Sequence, residues 1–104
     1  MRFGLRDEIV QSLSEIAKKF NYDFLIFGSR ARGDFKNNSD IDIAVMGPVT
    51  EEDIFKIRNE IDLIDMEYMV DLVFENKVQN NELLKNIKLE GIKLWRGMKR
   101  EEKI

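Results

Sequence analysis

Residues 24 to 45, FLIFGSRARGDFKNNSDIDIAV, constrain the fold of this chain more than any other stretch. Phe24-Leu25-Ile26-Phe27 is apolar without alternation, the pattern of a strand covered on both faces. Gly28 ends it, and Ser29-Arg30-Ala31-Arg32 leaves room for about one helical turn before Gly33. Asp34 to Ser39 has the composition of a turn-rich polar loop. Asp40 to Val45 then alternates, with Asp40, Asp42 and Ala44 on one face and Ile41, Ile43 and Val45 on the other. Two strands joined through a glycine turn, the second opening on acids, make a sheet with one polar end.

The flanking segments supply what such a sheet needs. Leu5, Ile9, Leu13, Ile16 and Phe20 recur every three or four residues, which predicts a helix over about 4–20 with Asn21 near its stop. Lys18 and Lys19 lie where the helix dipole favours cations. Gly47-Pro48 breaks the second strand, and Thr50-Glu51-Glu52-Asp53 resembles a capping box with Asp in place of Glu. Ile54, Ile57, Ile61 and Ile64 form the seam of the helix it opens. Met66 to Glu75 reads as a third strand, with Val70, Leu72 and Phe74 on one face and Asp71 beside Val73 on the other. An aspartate in such a strand is expected to be buried and to need a partner. Asn80 or Asn81 caps a last helix carrying Leu83, Leu84 and Ile87, Gly91 closes it, and residues 92–95 suit a short edge strand. The expected fold class is α/β, a small mixed sheet of three to four strands flanked by helices. Residues 1–97 are expected to form one domain, with 98–104 a charged, frayed tail.

Composition narrows the chemistry. The 104 residues contain no cysteine and no histidine, so thiolate metal sites, imidazole zinc ligands and a Ser-His-Asp triad are excluded. Carboxylates, hydroxyls, lysine, arginine and oxygen-bound cations remain. A net charge of −3 gives no broad positive field, so nucleic acid is not an expected partner. The charged start MRFGLRDE is no signal peptide and no apolar run approaches ~20 residues, so no membrane role and a cytoplasmic location are expected.

Residues two apart on a strand lie ~6.5 Å apart on one face. Two carboxylates so placed can grip a pair of Mg²⁺ ions ~3.5–4 Å apart. Asp40 and Asp42 fit that role, and Asp71 on a neighbouring strand could complete the metal site. Taken alone, Asp40-x-Asp42 equally suits a solvated strand edge or an Asx turn beside Ser39. Gly28-Ser29, between a strand and a helical turn, could present N–H groups and a hydroxyl to phosphate, although most such pairs are plain turns. No G-x-x-x-x-G-K-[ST] is present. Arg30 and Arg32 could balance the acids, hold a triphosphate or form structural ion pairs, Arg32 being the better phosphate candidate.

GSRARGDFKNNSDIDIAV, with G-S followed after ten residues by D-x-D, resembles the signature of the DNA polymerase β-type nucleotidyltransferase superfamily. The A-R-G and S-D-I-D elements, the later V-D-L-V and the short chain resemble the minimal nucleotidyltransferases, which include antitoxins of HEPN/MNT toxin–antitoxin pairs. That resemblance spans about residues 5–95. It implies a polymerase β palm-like fold, phosphate binding at Gly28 and Ser29, metal binding at Asp40 and Asp42, and Asp71 as third carboxylate. It further implies transfer of AMP from ATP, with two Mg²⁺ ions, to a hydroxyl of a HEPN toxin held in a hetero-oligomer. Two alternatives stay open. One is a toxin-neutralising binding module with vestigial activity. The other is a small-molecule nucleotidyltransferase of aminoglycoside type, with a second subunit of a homodimer as acceptor wall.

Overall fold

The computed structural model describes residues 2–95. In chain order the elements are α1 (Asp7–Phe20), β1 (Asp23–Phe27), α2 (Ser29–Arg32), β2 (Ile41–Met46), α3 (Glu51–Asp62), β3 (Val70–Phe74), a 3₁₀ turn (Glu75–Lys77), α4 (Asn81–Glu90) and β4 (Ile92–Lys93). The strands form one mixed sheet in the order β3-β2-β1-β4. β1 runs antiparallel to β2 and β4, while β2 and β3 are parallel. Parallel neighbours need a crossover, and α3 provides it. The fold class is the expected one.

Helix α1 lays Ile9, Val10, Leu13, Ile16 and Ala17 on the sheet and stops at Asn21, whose left-handed backbone lets its N–H reach Ala17 O at 2.8 Å. It begins at Asp7, three residues later than the apolar spacing suggests. Residues 2–5 instead close a tight turn, with Leu5 N–H on Arg2 O at 2.9 Å, and Leu5 is buried from that turn. Thr50 caps α3 through Asp53 N–H at 3.1 Å. The return half of the capping box is replaced, because the Asp53 carboxylate accepts from the Tyr22 hydroxyl at 2.6 Å. Asn80 caps α4 by accepting from the N–H groups of Glu82 and Leu83.

Two apolar layers hold the sheet. On one face Phe24, Ile26, Ile41, Ile43, Val45 and Phe74 pack with α1 and α3. Full burial of a side chain such as Ile26, Ile41 or Ile43 contributes about 1.5–3 kcal/mol. On the other face Phe27 and Ala44 meet Ile87 of α4, bordered by Leu25, Met46, Val73 and Leu83. One short helix covers this second face, which carries the even positions of β2 and therefore Asp42.

Three sequence expectations change. The third strand is five residues long, and Met66–Met69 approaches it as irregular chain with Met69 exposed. Asp71 is exposed, at the start of β3 on one edge of the sheet. Asp40 precedes β2, which starts at Ile41 with its N–H on Met69 O at 2.9 Å. The charged tail expected at 98–104 lies outside the described residues.

Candidate active site

Strand register brings the polar residues to one end of the sheet. Phe27, the last residue of β1, pairs with Asp42, and Asp42 pairs with Asp71 on β3. Paired residues on adjacent strands share a face and lie ~4.8 Å apart, so Asp42 and Asp71 are side-by-side carboxylates. Asp40 enters from the loop two residues earlier, and Gly28 follows Phe27 beside Asp42. The candidates Gly28, Ser29, Asp40, Asp42 and Asp71, spread over 44 positions of sequence, thus meet at one edge.

Gly28 is required there for two reasons. Its backbone (φ 75°, ψ −153°) is accessible only to glycine. A Cβ at this position would also collide with Oδ2 of Asp42 and lie 3.2 Å from its Cγ. The loop and the acid are packed against each other, so neither can be placed without the other. Helix α2 is a single turn, too short for a useful dipole, so any anion affinity comes from individual N–H groups rather than from the helix. The N–H groups of Ser29 and Arg30 and the Ser29 hydroxyl have no partner among the described residues. The Gly28 N–H donates to Glu90 Oε1 at 3.0 Å.

Electrostatics follow from the register. Burial pushes the Asp42 carboxyl above the ordinary carboxylate value, Asp71 and then Asp40 push it the same way, and Arg32 and Arg30 pull it back. Among the described residues no three acids converge as a finished cation cage. Even so, the donor set fits a hard divalent cation: it is all carboxylate, it has no nitrogen or sulfur ligand, and its members repel one another around Asp42.

The two arginines separate. Arg32 is half exposed and bridges Asp34 at 3.3 Å and Glu90 at 3.0 Å. Arg30 is 2% exposed and forms no ion pair among the described residues. Its guanidinium donates to Ser39 O at 2.8 and 3.2 Å, to Phe3 O at 2.9 Å, and more weakly to Asn37 O and Gly4 O. Phe35 and Tyr68 sandwich it at 4.9 and 4.7 Å. Arg30 therefore fixes the loop that delivers Asp40. Ser39 is a turn residue, its hydroxyl accepting from Lys36 N–H at 2.8 Å. Sequence reasoning missed Arg30 as a loop anchor, since its acceptors are main-chain carbonyls that carry no side-chain signature. It also missed Glu90, which is 62 positions from Gly28.

A groove of about 820 Å³ lies on the far side of the molecule, between α1 and α3, lined by residues such as Ile9, Ile16, Leu63 and Ile64.

Over residues 8–100 the chain matches the family described as polymerase beta, nucleotidyltransferase. Among solved structures, a toxin-antitoxin crystallised with AMP-PNP is 24% identical with a TM-score of 0.59, over 83% of this chain and 72% of that one. The toxin-antitoxin MntA-HpeT, in a mutant form, is 21% identical with a TM-score of 0.62 over the same shares. At these identities the likeness speaks for the fold. Curated proteins give no match.

Proposed function

The chain belongs to the polymerase β nucleotidyltransferase family and is a nucleotidyltransferase, and from that premise we propose that it transfers AMP from ATP to a hydroxyl of a HEPN-type toxin in the cytoplasm. The observation that carries the reading is the packing of Gly28 against Asp42, itself in register with Asp71, which couples the glycine loop to a row of acids. The toxin partner is supported by the two structural neighbours, both of them toxin-antitoxin proteins.

In this reading the N–H groups of Gly28, Ser29 and Arg30 and the Ser29 hydroxyl hold triphosphate oxygens, and Arg32 adds charge at the exposed side. Asp40, Asp42 and Asp71 are the residues that would hold two Mg²⁺ ions. Bound there, the metal would neutralise triphosphate charge and acidify the attacking hydroxyl. Asp71, exposed at the sheet edge, is open to an acceptor arriving from outside. It orients the acceptor hydroxyl and takes its proton as the new O–Pα bond forms and the bond to pyrophosphate breaks. The remaining catalysis is positioning and charge, which a chain without histidine can supply.

The test uses ATP labelled at the α-phosphate, Mg²⁺ and a lysate of the source organism, with wild type compared against the Asp40→Ala, Asp42→Ala double variant. A protein band labelled by wild type alone is the expected result. No labelled protein from a folded wild type would overturn the reading, and label on a small product would move the acceptor class to a small molecule.

A further inference from the structure

Glu90 stands where the phosphate reading does not call for an acid. It is the last residue of α4, where the helix dipole disfavours a carboxylate. Its Oε1 nonetheless accepts both the Gly28 N–H and the Arg32 guanidinium, each at 3.0 Å. The placement is built in. The ideal Cβ position of Gly91, the next residue, overlaps Ile87 O and lies 3.1 and 3.2 Å from Leu25 side-chain atoms, so only glycine lets the end of α4 sit this close to β1. Immediately beyond, Ile92 and Lys93 pair with Ile26 and Leu25, pinning Glu90 beside the loop from the other side. A local rule is broken, and the surrounding packing holds it broken, which is the pattern of a functional position.

We propose that Glu90 is an internal competitor for the triphosphate: its carboxylate holds the Gly28 N–H and Arg32 in the nucleotide-free protein and gives them up when phosphate oxygens arrive. This rests on the reading of Gly28, Ser29 and Arg32 as phosphate ligands. A carboxylate oxygen and a phosphate oxygen are equivalent acceptors for a single N–H and a single guanidinium edge, and both cannot be fully served at once. Glu90 therefore sets nucleotide affinity, keeping the loop shaped for an anion while making any anion displace a resident one. It is a positioning residue, acting through Gly28 and Arg32.

Wild type, Glu90→Gln and Glu90→Ala are titrated calorimetrically with a non-hydrolysable ATP analogue and Mg²⁺, and the Gly28 amide is followed by ¹H–¹⁵N spectroscopy. Both variants are expected to bind about tenfold more tightly, the scale of losing one charge-assisted competitor. In wild type the Gly28 amide should move on saturation, and in Glu90→Ala it should be displaced before nucleotide is added. A merely structural role would weaken binding instead. Equal or weaker binding by the variants, with measurable binding by wild type, would overturn the competitor and leave the phosphate reading standing. Absence of binding by all three, with an unmoved Gly28 amide, would overturn both.

Discussion

Replacing Arg30 by methionine tests whether one buried cation assembles the acidic end of the sheet. Methionine keeps an unbranched stem, shorter than that of arginine, and removes every donor. Two carbonyls, Phe3 O and Ser39 O, lose bonds of 2.9 and 2.8 Å, and an unsatisfied buried carbonyl costs about 1–3 kcal/mol. The lost stacking on Phe35 and Tyr68 adds about 1 kcal/mol. Against this, an apolar side chain is relieved of the desolvation that a buried guanidinium suffers. The balance is a destabilisation of about 3 kcal/mol, a large part of the 5–15 kcal/mol typical of a domain. In equilibrium urea unfolding, with a slope of about 1.5 kcal/mol per molar, the midpoint should fall by about 2 M. Arg30→Lys should recover only part of this, because one ammonium cannot bridge Phe3 and Ser39 together. Nucleotidyl transfer by Arg30→Met should fall even where the variant is fully folded, since Asp40 follows the Ser39 carbonyl that Arg30 holds. A midpoint shift worth less than about 1 kcal/mol, or an Arg30→Lys variant as stable as wild type, would refute the reasoning.

Gly28→Ala should lose about 2 kcal/mol from the glycine-only backbone and about 100-fold in transfer rate, because its Cβ displaces the Asp42 carboxylate; melting and label transfer read the two separately. Asp42→Asn should abolish transfer yet raise the melting temperature at neutral pH without divalent cations. The sign follows from linkage: the folded carboxyl titrates above its unfolded value of 3.8, so ionisation costs the folded state more than the unfolded one. That cost is absent below the unfolded value and grows as pH rises through the folded one. The stability gap between Asn and Asp should therefore close as pH falls toward 3.8, and a variant melting below wild type at neutral pH would contradict it.

The chain states its fold locally and its site only in part. The apolar spacing of α1, the Thr50 and Asn80 caps and the alternation of β2 are short-range signals, and each reappears in the structure. The grouping of Gly28, Asp40 and Asp42 could be read because a single hairpin-like segment carries all three. The exposure of Asp71 could not, because alternation along a strand does not say whether that strand is outermost. The apolar period overruns the start of α1 because Leu5 satisfies it while being buried from a turn. Arg30 and Glu90 lay beyond reach for a common reason: their partners are backbone groups, which every residue possesses and no sequence pattern marks.

Strand β4 is only two residues long, yet it ties the latest part of the described chain to β1, with Leu94 N–H on Phe24 O at 2.9 Å and Leu94 O accepting from Arg2 and Ser14. These are contacts of long sequence separation, which form late because their loop-closure entropy must be met first. A nascent chain can therefore complete α1 and the β1–β2 pair while the final strand is still inside the ribosome. The glycine loop receives the end of α4 only after residue 94 has emerged. Competition by the Glu90 carboxylate should consequently set in abruptly, as one of the last events of folding, rather than growing with the length of chain released.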